Sequence, residues 1–413
     1  MKIKLESRGK DGVIPLYLLD RSKNKSNRLK NFDGPMNWHS PKNTDDSLHK
    51  AMRPVIILAR CFALFPIVGI SANNASGLQK YVTVQLKNFY ISVDFVFLAS
   101  LTCIYLLFMQ LARKWSHFAS EWEQAEKHCR MLGCSTNLKN KFKFLIFTIM
   151  LLALIEHISS IATKVVDALP CTKADTDIIK AYFVNSYKHI FTFIDYNLLI
   201  AFGVAIITLI MSCAWNFMDV FIIIMSVAMA DRYRQFNRLL QSVNKKDMPV
   251  TFWRNMRETF NQLSYLTKML DELLSPIVLL SFANNLYFIC LQLLNSLKPM
   301  ASTWHATYFV YSFSYLVLRT ITVSLYAAAV YDQSKQPKSV LFSVPSESYC
   351  TEVARLLNQV ASDDLALTGC RFFSVTRTLV LTVAGTIVTY EIVLVQFSAV
   401  SGDTKKNTTI TCI

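Results

Sequence analysis

Seven charge-poor stretches, each close to the length of a membrane span, constrain this chain more than any other feature. A bilayer core takes about 20 mostly apolar residues as helix. Such stretches lie at 54–71, 92–112, 143–164, 194–228, 273–297, 305–330 and 377–399. The fifth contains no charged residue, whereas the others carry isolated ionisable groups: Arg60, Asp94, Glu156, Asp195, Asp219, Arg319 and Glu391. The ten-residue alternation of a membrane barrel is absent. The expected fold is therefore all-α, a polytopic membrane protein with seven transmembrane helices. Composition agrees, since 53% of the 413 residues are hydrophobic and 17% charged. A net charge of +15 suits a nucleic-acid binder, but such proteins are rarely this apolar. Only 10 glycines and 10 cysteines exclude collagen-like repeats and a disulfide scaffold.

The basic residues orient the chain. Segments 1–53, 113–143, 231–270 and 332–377 carry 12, 7, 8 and 5 Lys or Arg, which is 32 of the 43. The alternate loops and the tail carry nine, and Arg60 and Arg319 lie within spans. The positive-inside rule then predicts a cytoplasmic N-terminus and an extracellular C-terminus. The first 52 residues hold no continuous apolar core, so no cleavable signal peptide is expected. Two glycosylation sequons, at Asn74 and Asn407, fall on the expected outside, and a third, at Asn24, falls inside. Cys171 and Cys412 are the cysteines of the expected outside loops, and a bridge between them is open. The chain thus divides into a cytoplasmic segment 1–53, six spans within 54–330, a cytoplasmic anchor region 331–376, a last span 377–399 and an extracellular tail 400–413.

The fourth span is oversized. As helix, 196–230 would run about 50 Å, beyond the roughly 30 Å hydrocarbon thickness, so it tilts or projects into the cytoplasm. Beyond it, Tyr233, Phe236, Leu240 and Val243 recur at helical spacing, as do Trp253, Met256, Phe260, Leu263 and Leu266. Val353, Leu357 and Val360 form a shorter stripe. These stripes predict a packed cytoplasmic helical bundle, with a helical extension over 229–272, in preference to helices lying on the membrane surface.

No enzyme signature is present. The seven histidines show no zinc-ligand spacing, and there is no Cys-x-x-Cys, phosphate-cradling glycine loop or Gly-x-Ser-x-Gly elbow. Neither a metal nor a cofactor is expected. Asp231-Arg232-Tyr233 matches a tripeptide of G-protein-coupled receptors, but there it ends the third span and here it ends the fourth. Their extracellular N-terminus and Asn-Pro-x-x-Tyr pattern are also missing.

The last span carries the informative pattern. Thr389-Tyr390-Glu391-Ile392-Val393-Leu394-Val395-Gln396-Phe397 resembles the C-terminal signature of insect gustatory receptors: Thr-Tyr, five mostly hydrophobic positions, then Gln-Phe. The acid after the tyrosine is similar to the sugar-taste clade. So is the lead-in Asp46-Ser47-Leu48-His49-Lys50-Ala51-Met52-Arg53-Pro54, followed by Cys61-Phe62-Ala63-Leu64-Phe65-Pro66. The tail of sixteen residues after Phe397 departs from that pattern. The resemblance implies a tetrameric, ligand-gated, non-selective cation channel whose four last helices line the pore, with Gln396 and Phe397 at the gate. It also implies a ligand pocket in the extracellular half of each subunit, a plasma membrane of chemosensory neurons, and assembly with itself or related subunits.

Thr382, Thr386, Thr389, Val393 and Gln396 step by four and three, so they share one helical face. By itself that stripe is an interhelical contact or a pore wall; the resemblance favours the pore. A sugar pocket needs amides or carboxylates beside aromatic platforms. Candidates in the outer halves of the spans are Tyr90 and Asp94, Glu156 and His157, and Asp195 and Asn197. Asn284, Asn285 and Gln292 follow on the fifth span, and Trp304, His305 and Tyr308 on the sixth. Arg60 and Arg319 are assigned structural roles. The expected function is a sugar-sensing receptor channel. A secondary sugar transporter is the rival, opposed by unequal spans without internal repeats.

Overall fold

A computed structural model describes residues 67–68, 79–80, 93–131, 138–169, 177–243, 246–296 and 303–400. Two short strands, β1 (Ile67–Val68) and β2 (Gln79–Lys80), pair antiparallel. The rest of the described chain is built on helices: α1 (Val93–Met131), α2 (Leu138–Ala168), α3 (Ile178–Ser186), α4 (Lys188–Phe191), α5 (Leu198–Ser242), α6 (Val250–Ser296), α7 (Thr303–Lys335), α8 (Pro337–Phe342), α9 (Thr351–Ser362) and α10 (Arg377–Val400). Helices coincide with the second to seventh expected spans. The first, 54–71, lies outside the described residues except for Ile67 and Val68, which are extended rather than helical. Two β-branched residues ahead of Gly69 favour that backbone.

Among the described residues five helices, α1, α2, α5, α6 and α7, are long and apolar enough to cross a membrane. At 1.5 Å per residue the 45-residue α5 and the 47-residue α6 run about 68 and 70 Å, twice a hydrocarbon core. The excess joins span to bundle without a break, so the fourth span continues through Ser242 and the fifth begins back at Val250. Every residue from 214 to 233 of α5 is buried. A helix buried on all sides must be wrapped by others, and α1, α2, α6 and α7 pack around it. Helix α2 does the reverse: Phe144, Phe147, Leu151, Leu154 and Ile158 are exposed along it, the surface a lipid solvent would cover.

Beyond the spans the aromatic stripes close into a core. Tyr233, Phe236, Leu240, Trp253, Met256, Phe260, Leu263 and Leu266 are buried together with Val353, Leu356 and Val360 of α9. Val243 and Leu357 of those stripes are only partly covered. Where water is the alternative, burying each large side chain contributes about 1.5–3 kcal/mol. Arg257 Nε donates to Glu352 Oε2 at 2.5 Å, clamping α9 onto α6. Inside the same bundle Arg232 pairs with Glu126 and lies over the Trp122 ring, tying α5 to α1. A tight turn precedes α10, where Cys370 and Arg371 take φ of 49° and 63°. A Cβ on Gly369 would sit 2.3 Å from the Phe373 ring, so no larger residue fits that turn unless the ring moves.

At the opposite end α3 and α4 cap the span bundle. Tyr182 and Phe183 of α3 pack with Ala168 of α2 and Ala201 of α5. His305 Nε2 stands 2.8 Å from Asp167 Oδ1, so α2 ends where α7 begins.

Candidate functional site

A cavity of about 150 Å³ lies among α1, α2, α5, α6 and α7. It sits between the His305–Asp167 end of the spans and Arg319, half-way along α7. Its apolar wall is aromatic. Trp215 stacks on Phe97 with ring centroids 5.3 Å apart and meets Phe288 edge-on at 4.8 Å. Such rings offer flat faces to the C–H side of a polyol, while their rigidity keeps the space open.

The polar wall is a network from three helices. Glu156 Oε1 accepts from Tyr308 OH at 3.2 Å and from Ser312 Oγ at 3.1 Å. Gln292 Nε2 donates to Ser312 Oγ at 3.1 Å. The opposite amide atom, Gln292 Oε1, is buried with no partner among the described residues. Two helical spacings build this wall: Tyr308 and Ser312 are one turn apart on α7, and Gln292 is one turn from the aromatic Phe288 on α6.

The floor holds an ion pair. Arg319 Nε stands 2.9 Å from Asp219 Oδ2, Nη1 donates to Asn216 Oδ1 at 2.6 Å and Nη2 to Asn285 Oδ1 at 2.8 Å. The Nε approach is ionic, without the alignment of a hydrogen bond. Asp219 in turn accepts from Ser281 Oγ at 2.5 Å and Asn285 Nδ2 at 3.3 Å. Tyr315 OH donates to Asn216 Oδ1 at 2.8 Å, and the Arg319 guanidinium lies 5.7 Å from the Tyr315 ring centre and 6.0 Å from that of Trp215. An intramembrane charge is tolerated only when paired and hydrogen-bonded in this way.

Of the residues expected from sequence, Glu156 and Gln292 line the cavity, and Tyr308 holds Glu156 from behind. Asn285 braces Arg319 without facing the cavity, while Asn284 Oδ1 accepts from Ser100 Oγ at 2.9 Å. His305 is engaged with Asp167, Trp304 is 66% exposed, and His157 is half-buried on α2. Asp195 lies in the exposed turn before α5, and Asn197 caps that helix, its Oδ1 accepting from Leu199 N at 2.9 Å. The structure does not bring Asp195, Asn197, Asn284, His305 or Trp304 to the cavity. Asp94 falls in the first turn of α1 with its side chain outside the described part, as Tyr90 is altogether.

Sequence reading missed Phe97, Ser212, Trp215, Asn216, Phe288, Ser312 and Tyr315, and placed Arg319 only as structural. Trp215-Asn216 within an apolar run, and Tyr311, Tyr315 and Arg319 at four-residue steps, were available signals. Arg319 both pairs with an acid and faces the cavity.

On α10, Thr382, Thr386 and Thr389 are exposed, each hydroxyl donating to the carbonyl four residues back. Leu379, Val383 and Ile387 turn toward the rest of the subunit instead. Among the described residues the threonine stripe thus makes no helix–helix contact. Tyr390, Glu391, Val393, Gln396 and Phe397 belong to α10, but their side chains lie outside the described part. Asn74, Asn407, Arg60, Cys171 and Cys412 lie outside the described residues. No cluster of metal-ligating side chains occurs among those described.

The fold is shared with the insect olfactory receptor OR5 from Machilis hrabei. That structure superposes with a TM-score of 0.55 at 15% identity, covering 92% of this chain and 99% of the other. Its complex with eugenol gives 0.51 at 16% identity, over 87% and 92%. In sequence the chain is 34% identical to the Drosophila melanogaster gustatory receptor for sugar taste 64f, covering 86% of this chain and 81% of that one. It is 32% identical to the Drosophila melanogaster gustatory receptor 5a for trehalose, over 86% of each. Residues 39–91 and 77–412 match the family described as trehalose receptor. These matches span the helices that build the cavity and α10 alike, and the chain belongs to the trehalose receptor family of gustatory receptors.

Proposed function

We propose that this chain is a sugar receptor that works as a ligand-gated, non-selective cation channel. Four subunits, identical or related, would surround a pore lined by α10 in the plasma membrane of chemosensory neurons. The observation that carries the reading is the cavity, where aromatic faces from α1, α5 and α6 meet a carboxylate, amides and hydroxyls. That mixture suits a ligand with weakly apolar ring faces and many hydroxyls. The named functions of the relatives, sugar taste and trehalose, support the same ligand class. The fold likeness to an insect olfactory receptor, and threonines of α10 left exposed by the described residues, support the assembly.

At about 150 Å³ the cavity is smaller than the roughly 300–1,000 Å³ of typical ligand sites. A bound disaccharide must therefore spread α2, α5, α6 and α7. Sugar opens the pore only if it binds that spread state more tightly than the compact one. The motion would reach α10 through its packing on α6 and α7 and draw the Gln396–Phe397 end outward. A ring of Phe397 side chains blocks ions by dewetting, and Gln396 offers a polar step when turned inward.

Patch-clamp recording from cells expressing the chain, with mono- and disaccharides including trehalose, tests the reading. Sugar-evoked cation currents that Phe397→Ala alters are expected. Sugar uptake without current would replace the channel with a transporter.

A further inference from the structure

The cavity has a defined charge and two acceptor oxygens without a partner among the described residues. Ser312 has one hydroxyl proton, and it goes to Glu156 Oε1 at 3.1 Å. Ser312 Oγ must then accept from the amide nitrogen of Gln292, as the 3.1 Å contact has it. That fixes the amide orientation and leaves Gln292 Oε1 buried and without a partner among the described residues. Among the described residues both hydrogen bonds to the Glu156 carboxylate fall on Oε1, so Oε2 also remains an acceptor. Asn216 Oδ1 is already filled by Tyr315 and Arg319. Two acceptor oxygens, Gln292 Oε1 and Glu156 Oε2, are therefore open to a ligand hydroxyl.

Charge points the same way. Arg319 is compensated by Asp219, with Nη1 and Nη2 drawn off to Asn216 and Asn285. Glu156 is the remaining formal charge among the cavity residues. A buried acceptor without a donor destabilises the empty site, and a ligand hydroxyl removes that cost. A ligand carboxylate would instead bring a second negative charge beside Glu156 in a space where water screens poorly.

Resting on the sugar-receptor reading above, we propose that this cavity ranks sugars by charge. It takes neutral sugars through donated hydroxyls, accepts amino sugars through an ammonium beside Glu156, and rejects sugar acids. Gln292 and Glu156 are the residues that set the order.

Ligand-observed NMR on the intact purified receptor, with glucose, glucosamine and glucuronate at pH 7, tests this independently of channel opening. Glucuronate should bind at least tenfold more weakly than glucose, and glucosamine at least as tightly. Glu156→Gln, which keeps an oxygen for Tyr308 and Ser312, should close the glucuronate gap several-fold and abolish any glucosamine advantage. Gln292→Glu should widen the gap. Glucuronate binding within threefold of glucose, or a ranking that neither variant moves, overturns the charge rule and leaves the sugar receptor standing. Binding of none of the three hexoses overturns it too, whereas loss of the sugar reading requires failure of the disaccharides as well.

Discussion

Arg319 Nε stands 2.9 Å from Asp219 Oδ2, joining α7 to α5 where Asp219 is wholly inaccessible. The pair is at once the floor of the cavity and a tie between the two most extensively packed helices. Removing one partner leaves the other charge buried and uncompensated, whereas removing both removes the problem.

Asp219→Asn is therefore expected to destabilise the receptor by about 3–5 kcal/mol, and Asp219→Asn with Arg319→Met to recover much of that loss. Thermal unfolding of detergent-solubilised protein reads both. A double variant no more stable than Asp219→Asn would mean the guanidinium acts through Asn216 and Asn285 instead.

Trp215 touches Phe97 and Phe288 and forms the largest aromatic face of the cavity. Trp215→Ala should raise the half-maximal sugar concentration about tenfold or more, which corresponds to about 1.4 kcal/mol of binding free energy. Exposed Trp304 provides the control: Trp304→Ala should leave the dose–response in place. Equal effects of the two would move the sugar site toward the mouth of the bundle.

The α10 threonine hydroxyls bond to their own helix and are exposed among the described residues. Thr382→Val, Thr386→Val and Thr389→Val should each cost the subunit under about 0.5 kcal/mol, as exposed positions do. Single-channel conductance should fall, because each change removes a polar group from the proposed pore wall. Unchanged conductance with impaired tetramer assembly would assign the stripe to subunit contact.

The clamp between α6 and α9 carries a pH signature. Glu352 is held below the usual carboxylate range chiefly by the hydrogen bond from Arg257, aided by the charges of Arg257 and Arg355. For Asp363 burial acts upward, but bonds from Ser264 and Lys268 together outweigh it and hold the group low. Lowered folded-state values contribute stability that is complete above the unfolded values, near pH 4, and is lost as pH falls through the folded ones. The melting temperature should drop between about pH 4.5 and pH 3, and Glu352→Gln should drop less over that interval. A variant that follows the wild-type curve would remove Glu352 from the account.

Much was legible without coordinates. The stretches at 143–164 and 305–330 lie within α2 and α7, and that at 92–112 overlaps α1 from Val93 on, because lipid imposes length and apolarity on any helix that crosses it. The stripe Trp253, Met256, Phe260, Leu263 and Leu266 faces a core because a 3.6-residue period leaves one side wet. The Thr-Tyr-to-Gln-Phe pattern of α10 anticipated the family to which the matches assign the chain.

What the chain alone determined was therefore which segments are helical and which carry polar groups inside lipid. The tertiary structure decided which of those groups meet. Asn197 carries the same amide as Asn216, yet the former lies at the exposed start of α5 and the latter faces the cavity. Periodicity assigns residues to a helix face, but what that face meets depends on the rotation and stagger of four neighbouring helices. Those are set by side-chain packing between segments far apart in sequence, such as Glu156 against Ser312 and Asn216 against Arg319, and no spacing within a single segment encodes them.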